Sequence, residues 1–130
     1  MVQGVPRDAR DLLPLKPLVF DVLLALDAGD RHGWSLVREI QQRAGTTILP
    51  ANFYRTLRTM LADGLIEEAD PPKIDRASAR REGAADSLER RRYFTLTPLG
   101  RDAARLEARR LQQILADVRT QRLLKATRKP

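Results

Sequence analysis

The spacing of apolar residues divides most of the chain into helical segments, with one change of period. Three segments, residues 17–28, 34–44 and 50–63, carry apolar residues at intervals of three and four, and each is followed by a glycine. A proline opens the first and third segments, and this placement of proline and glycine is typical of helix boundaries. Two short segments, 65–69 and 91–96, alternate instead and predict two strands. This order restricts the chain to a small, mainly helical domain with a hairpin.

The segment between the two predicted strands, residues 70–90, contains Pro71–Pro72, is rich in both signs of charge and almost lacks large apolar side chains. Such a composition cannot bury enough apolar surface to become ordered, so we predict a long mobile hairpin tip. Residues 1–14 predict an N-terminal arm with little structure of its own, attached through Leu12 and Leu13. The domain itself then spans residues 15–97.

A final helix is predicted to start at Thr97–Pro98, because threonine is a good N-cap and proline suits the first turn. We predict that it runs unbroken to about Lys125, as a rod about 40 Å long, and that residues 98–130 form this helix and a tail. A rod of that length extends beyond a domain of this size, so its apolar side chains need cover. We predict that a second copy of the chain covers them; the alternative is that the helix folds back on its own domain. The candidate dimer residues lie on the first and last helices: Phe20, Leu24, Leu106, Leu111, Ile114, Leu115 and Val118.

The charge is compatible with an anionic partner. The chain carries 24 Lys+Arg against 17 Asp+Glu, a net charge of +7, and residues 91–130 hold 11 basic and 3 acidic side chains, which accounts for the excess. A basic segment of this kind permits nucleic-acid binding, although a solvated amphipathic helix has the same composition. Charge alone therefore does not decide the function.

Several classes of protein are excluded or disfavoured. Cysteine is absent, which excludes disulfides, thiolate metal sites and thiol nucleophiles. The longest apolar stretch, residues 18–26, is far shorter than the roughly 20 residues of a membrane span, and the N-terminus has no apolar leader. We find no catalytic set of Ser, His and Asp and no glycine-rich phosphate loop, and His32, the only histidine, suits a turn or cap better than a metal. We therefore expect a soluble cytoplasmic protein that is not an enzyme, has no cofactor, metal or catalytic residue and does not bind a membrane.

The third predicted helix has two unlike faces. Phe53, Leu57 and Met60 share one side, and polar residues occupy the other. Arginine can contact guanine through two hydrogen bonds and asparagine can contact adenine in the same way, while the free amides of a helix start bind phosphate. An ordinary solvated helix face is the alternative, and Tyr54 is equally consistent with a half-buried structural aromatic. The candidate DNA-contacting residues on this helix are Ala51, Asn52, Tyr54, Arg55, Thr56, Arg58 and Thr59.

Candidate contacts with the DNA backbone lie outside this helix as well. Arg91 and Arg92 open the second predicted strand, where their charge could equally protect a strand edge. Ser35, a further candidate, could cap the second helix.

Four stretches of the chain resemble one family. HGWSLVREI (32–40), LPANFYRTLRTMLADGLIEE (49–68) and RRRYFTLTPLGR (90–101) are similar, in order and spacing, to the PadR family of bacterial transcriptional regulators. LLPLKPLVFDVLLALDAGDRHGW (12–34) resembles the family's first helix, so the resemblance covers roughly residues 12–115. The chain departs from the family pattern at Ala51–Asn52, where Gly-Thr is usual, and at Trp34, where tyrosine is commoner.

The resemblance implies a winged helix-turn-helix with a small β wing and a long C-terminal dimerisation helix. The chain matches the family pattern at Pro50, Tyr54, Arg55 and Leu57, at Asp63–Ile66, and at Arg92, Tyr93 and Leu96–Thr97. Similarity to related winged-helix proteins also implies that Ser35 lies near a phosphate. The function that it implies is sequence-specific binding to double-stranded DNA by a homodimeric regulator, a repressor on an inverted repeat. It also allows response to an effector, and a dimer interface that contains Trp34 or Phe20 could enclose a small apolar molecule, although the sequence itself does not show one. The alternative is a winged-helix module that binds protein or RNA without reading a DNA sequence.

Overall fold

The computed structural model describes residues 8–45, 47–70 and 92–126. Within these ranges a mainly helical chain carries one small sheet, which confirms the predicted class. The elements are a 3-10 helix (Ala9–Leu12), α1 (Pro17–Asp27), β1 (Arg31–His32), α2 (Gly33–Ala44), α3 (Pro50–Ala62), β2 (Ile66–Ala69), β3 (Tyr93–Leu96), α4 (Pro98–Ala116) and α5 (Val118–Ala126). None of the helices in this described part has the length and apolar run that crossing a membrane takes.

The core lies where one face of each of the helices α1 to α3 meets the sheet and α4. Leu23, Leu36, Phe53 and Phe94 are fully buried there. Burial of each such side chain stabilises the fold by about 1.5–3 kcal/mol. Apolar residues surround more of α1 than a single packing contact requires. Helix α4 covers part of this extra surface, and its Ala103 is fully buried. Helix α4 therefore packs along the domain before it leaves it.

The sheet has three antiparallel strands in the order β1-β3-β2, one more than predicted. Arg31 pairs with Phe94 and His32 with Tyr93, whereas the sequence suited His32 to a turn or cap. A two-residue strand has no periodicity of its own and forms only because β3 offers a free edge. The predicted mobile tip falls almost wholly on residues 71–91, outside the described residues.

The prediction of an arm with little structure is corrected for residues 8–14. The Asp8 carboxylate caps the 3-10 helix by accepting a hydrogen bond from the Arg10 N–H at 2.9 Å, and Ala9 is buried. Leu12 and Leu13 pack against the core, as predicted for the point of attachment. Residues 1–7 lie outside the described part of the chain.

A buried carboxylate, Glu107 on α4, holds this N-terminal segment in place. Its Oε1 accepts a hydrogen bond from the Leu15 N–H at 3.3 Å, and the Arg110 guanidinium donates to both of its oxygens at 2.9 and 2.7 Å. Glu107 is only 2% exposed. The hydrogen bond from Arg110, reinforced by that from Leu15, lowers the pKa of Glu107 below its ordinary value despite the opposing effect of burial.

We expect Glu107→Gln to lower the free energy of unfolding at neutral pH by about 1–3 kcal/mol, because it removes a buried, charge-assisted acceptor. Since the pKa is lower in the folded state than in the unfolded state, this stabilisation is complete above the unfolded-state pKa of about 4.3 and is lost as pH falls through the folded-state pKa. Chemical denaturation of both proteins at several pH values should therefore show the difference shrinking in acid. Asp102→Asn, which breaks an exposed pair with Arg105 on the same helix, is the control and should change little. Equal effects of the two substitutions would contradict this role of Glu107.

Thr97 and Gly100 fix the start of α4 against the turn that follows α3. The Thr97 hydroxyl accepts a hydrogen bond from the Gly100 N–H at 3.0 Å, which confirms Thr97 as the N-cap, and it lies 2.9 Å from the Leu65 carbonyl oxygen. A Cβ added at Gly100 would overlap that carbonyl oxygen and press on Leu96. Glycine is thus required here because the α4 backbone lies directly against the Leu65 carbonyl group.

We expect Gly100→Ala to lower the free energy of unfolding by about 1–3 kcal/mol, because the overlap forces α4 away from Leu65. The matched control is Ala108→Gly on the exposed side of the same helix. There alanine is the better residue by about 1 kcal/mol through helix propensity alone. Thermal or denaturant melts measure both, and a Gly100→Ala protein as stable as the parent would show that the contact is not tight.

The predicted unbroken final helix is wrong at Asp117. The backbone there is extended (φ −63°, ψ 137°), so α4 ends at Ala116 and α5 begins at Val118. The Asp117 carboxylate accepts a hydrogen bond from the Arg119 N–H at 2.7 Å and so caps α5. Ion pairing with the Arg119 side chain, together with this cap, lowers the pKa of Asp117. Aspartate is a favoured N-cap, and here it starts a new helix instead of continuing the old one.

Candidate nucleic-acid interface

The two faces of α3 are separated as the sequence predicted. Phe53, Leu57 and Met60 are buried in the core. The candidate residues on the other side divide into an exposed set and two half-buried residues. The exposed set is Ala51, Asn52, Arg55, Arg58 and Thr59, and the half-buried residues are Tyr54 and Thr56. The helix is therefore anchored by one face and presents a polar surface with the other.

The Arg55 side chain is exposed and has no ion pair with another described residue. The two threonines are less available as donors. The Thr56 hydroxyl donates to the Asn52 carbonyl oxygen at 2.9 Å and the Thr59 hydroxyl donates to the Arg55 carbonyl oxygen at 3.2 Å. A DNA phosphate accepts hydrogen bonds and needs a donor. Because both hydroxyl protons are already used within the helix, these threonines suit contact with a thymine methyl better than contact with the DNA backbone.

The start of α3 has the geometry of an anion-binding helix terminus. Leu49 precedes the helix without a side-chain cap, and Pro50 occupies its first position. The amides of Ala51 and Asn52 then have no partner within the helix, as at every helix start. A phosphate placed there would meet both amides and the positive end of the helix dipole.

A shallow hollow between α3 and the base of β3 brings together three of the predicted residues. Tyr54, Arg58 and Arg92 line it, with Leu57, Leu61 and Phe94 forming its floor. The Tyr54 ring packs edge-on against Phe53 at 5.4 Å, so this tyrosine has the structural role that we left open, whatever else its hydroxyl does. Two guanidiniums on separate elements thus border one small depression.

Arg92 is not a free cation, which sequence reasoning did not foresee. It forms an ion pair with Glu68 of β2, and both side chains are about half exposed. An exposed pair of this kind is worth about 0–1 kcal/mol, so a phosphate can compete for the arginine. Its neighbour Arg91 lies outside the described residues, and its predicted contact stays a prediction.

Ser35 does not cap α2. The N-cap position belongs to His32, and Ser35, three residues later, forms a hydrogen bond of 2.8 Å with the His32 Nδ1. His32 also packs edge-on against Tyr93 at 4.9 Å. Its role is therefore structural, at the junction of α2 and the sheet, and within the described ranges no group of three or more histidines and carboxylates is close enough to hold a metal.

The predicted dimer residues differ in how far the chain's own core covers them. Phe20 and Leu106 pack against the chain's own core, so the first half of α4 folds back on its domain as the alternative proposed. Leu111 is half-buried and Leu24 is exposed. Beyond Leu111 no residue of α4 or α5 is buried among the described residues. The resulting C-terminal apolar patch consists of Ile114, Leu115, Val118, Leu123 and Leu124, each 44–69% exposed; the last two were absent from our candidates although they share the segment's apolar pattern.

Comparison with known proteins places this arrangement in a family. The model of the "Transcriptional regulator PadR-like family" matches residues 22–106, from α1 to the middle of α4. The chain belongs to the PadR-like family. The resemblance stated from the sequence is thereby confirmed, and this PadR-like protein is a transcriptional regulator. No curated protein sequence matched the chain.

Solved structures similar to this PadR-like protein include those of RosR from the archaeon H. salinarum. One RosR structure has 20% identity and a TM-score of 0.60, with 90% of this chain and 93% of that chain covered. A complex structure, RosR-S4, has 22% identity and a TM-score of 0.62, with 92% of each chain covered. A second complex structure, RosR-S1, has 22% identity and a TM-score of 0.59 with 92% and 91% covered. At this identity the likeness shows the fold, and it confirms the predicted winged helix.

Proposed function

We propose that this PadR-like protein is a homodimeric repressor that binds an inverted repeat in double-stranded DNA. The observation that carries the proposal is the exposed polar face of α3, whose opposite face is anchored in the core. In a helix-turn-helix the second helix of the motif lies in the major groove, and this is the place of α3 after α2. A rigidly held helix with a polar outer face is what reading base edges requires.

The side chains on that face have the chemistry for direct readout. Arg55 can donate two hydrogen bonds to guanine, and Asn52 can pair with adenine, each worth about 1–3 kcal/mol of discrimination. The amides of Ala51 and Asn52 and the cations Arg58 and Arg92 then supply contacts to phosphates on either side. Base contacts from Asn52 and Arg55, together with backbone contacts from the start of α3, Arg58 and Arg92, would fix the register of the protein on the duplex.

A second copy of the chain is the proposed cover for the C-terminal apolar patch. Five large aliphatic side chains exposed within residues 114–124 form a patch that favours association. A two-fold dimer presents two copies of α3, which read half-sites whose centres are about 10–10.5 base pairs apart, or a multiple of that distance. Repression then needs only that the dimer occupies DNA that the transcription machinery requires, in the cytoplasm where the chromosome lies.

An effector site is not part of the proposal. Of the two residues offered for one, Phe20 packs against the core from α1, whereas Trp34 is exposed at the start of α2.

Selection from random duplex DNA, followed by binding measurements on the enriched site, tests the proposal. We expect enrichment of an inverted repeat and an affinity that falls steeply with salt, with a log–log slope of about −0.9 for each phosphate neutralised. A duplex with both half-sites scrambled is the control. Absence of any enriched sequence would contradict the proposal. Capture of a protein partner that survives nuclease and high salt would instead favour the alternative of an interaction module.

A further inference from the structure

A stacked pair of side chains on α2 lies outside the contacts proposed so far. Trp34 is 45% exposed in the first turn of α2. One turn later, Arg38 places its guanidinium carbon 4.7 Å from the centre of the indole ring. One face of the indole ring thus lies against a cation and not against the core, and the side chain stays about half exposed.

Arg38 is also available for an anion. Its sequence neighbour Glu39 pairs with Arg31 at 3.3 Å, and Arg38 has no carboxylate partner within the described ranges. Arg43 of the same helix differs, because it pairs with Asp21 of α1 at 3.4 Å. The two arginines therefore offer a comparison between an available cation and a neutralised one on a single helix.

Arg38 lies on the side of α2 that faces the turn before α3. Arg38 lines an open hollow at the turn between α2 and α3, together with Gln41, Gln42, Gly45 and Thr47. The Gln41 side chain accepts a hydrogen bond from the Ile48 N–H at 2.8 Å, which ties this side of α2 to the residues immediately before α3. A polar surface with one cation, Arg38, thus extends along α2 to the residues that immediately precede α3.

We propose that Arg38, positioned by Trp34, binds a phosphate of the DNA strand that borders the groove occupied by α3. The inference rests on the proposed function, and it adds a backbone contact from the first helix of the motif, which crosses the DNA backbone in helix-turn-helix proteins. A guanidinium stacked on an aromatic face keeps its edge N–H groups free for the two oxygens of a phosphate. Stacking also restricts the side chain before binding, which reduces the ordering cost of the contact. Trp34 is the positioning residue, and Arg38 makes the contact.

The test is the salt dependence of DNA binding, measured by fluorescence anisotropy on the duplex enriched by selection and on a scrambled duplex. Arg38→Ala should reduce the magnitude of the log–log slope by about 0.9 per subunit, and at 0.1 M salt weaken binding to both duplexes about tenfold for each phosphate that is no longer neutralised. Trp34→Ala should weaken binding to both duplexes through loss of positioning, and Trp34→Phe, which keeps an aromatic face, should restore most of it. Arg43→Ala, which removes the neutralised cation, should leave the slope unchanged. Thermal melts of each variant show whether the fold is retained.

A missing phosphate contact at Arg38 can be told apart from a protein that does not bind DNA. Sequence-specific binding by the parent together with an unchanged slope for Arg38→Ala would overturn the phosphate contact alone. Loss of base preference in Arg38→Ala, without a change in slope, would also overturn it, because a phosphate contact carries no sequence information. A parent protein that binds no duplex would overturn both proposals.

Discussion

Replacing Arg55 with alanine is expected to remove most of the preference of this protein for one base in each half-site. The loss of a two-hydrogen-bond contact with guanine costs about 1–3 kcal/mol of discrimination, which is roughly 5- to 150-fold for each half-site. Because Arg55 is exposed and has no ion pair among the described residues, its removal leaves the core untouched. The effect should therefore appear in the ratio of affinities for cognate and substituted sites, with little change in stability.

Competition binding against a panel of duplexes, each changed at one base pair, measures this prediction. Arg92→Ala is the matched comparison. It removes a guanidinium at the start of β3, outside α3, and should weaken binding to all sequences alike. Equal losses for every duplex in the Arg55→Ala protein would show that Arg55 contacts the backbone and that other residues of α3 read the bases.

The second large effect concerns the C-terminal apolar patch. Replacing Leu115 and Val118 together by glutamate should keep the chain from forming the proposed dimer, because two charges from each copy would have to be buried in an apolar contact. Linked binding of two half-sites increases affinity by about 10²–10⁴-fold, and this gain should be lost with the dimer. Size-exclusion chromatography with light scattering gives the mass, and anisotropy on the inverted repeat gives the affinity.

The control for this double substitution is Gln113→Glu, which adds a charge at an exposed position on the opposite side of the same turn of α4. It should leave both mass and affinity unchanged. A double variant that remains dimeric would place the dimer contact elsewhere, with Leu24 of α1 as the next surface to test.

The parts of the fold that could be predicted are those with local causes. Proline at the first turn and glycine after the last turn defined α1 and α3 to within a residue or two. Apolar spacing and the glycine that follows defined α2 equally closely, and Thr97 identified the start of α4. The buried and exposed sides of α3 followed from residue spacing alone, because a helix repeats every 3.6 residues whatever it packs against.

The parts that could not be predicted depend on contacts that are distant in sequence. β1 is two residues long and exists only by pairing with β3, about sixty residues later. The N-terminal segment is ordered through the hydrogen bond between Leu15 and Glu107, which no local pattern announces. The end of α4 at Asp117 shows the limit of a local signal, since an aspartate within an amphipathic pattern is as compatible with a solvated helix face as with a new N-cap.

The candidate site shows the same division. Its residue types on α3 could be chosen from the sequence, because the chemistry of base recognition depends on which side chains share a face. The partner of Arg92 depends on the pairing of β2 with β3, which brings Glu68 beside it. The contacts of Ser35 with His32 and of Arg38 with Trp34 are local, at spacings of three and four, but the spacing alone does not show which neighbour each side chain chooses. These contacts decide which cations are available, and only the folded chain shows them.

The number of chains that bind one operator decides whether the proposed homodimer reads an inverted repeat. Native mass spectrometry of the protein mixed with its selected inverted repeat should show two chains on each duplex, and inverting or deleting one half-site should abolish the complex at the same concentration. A complex of one chain on one duplex, with an affinity indifferent to the second half-site, would contradict the proposed dimer and its reading of the repeat.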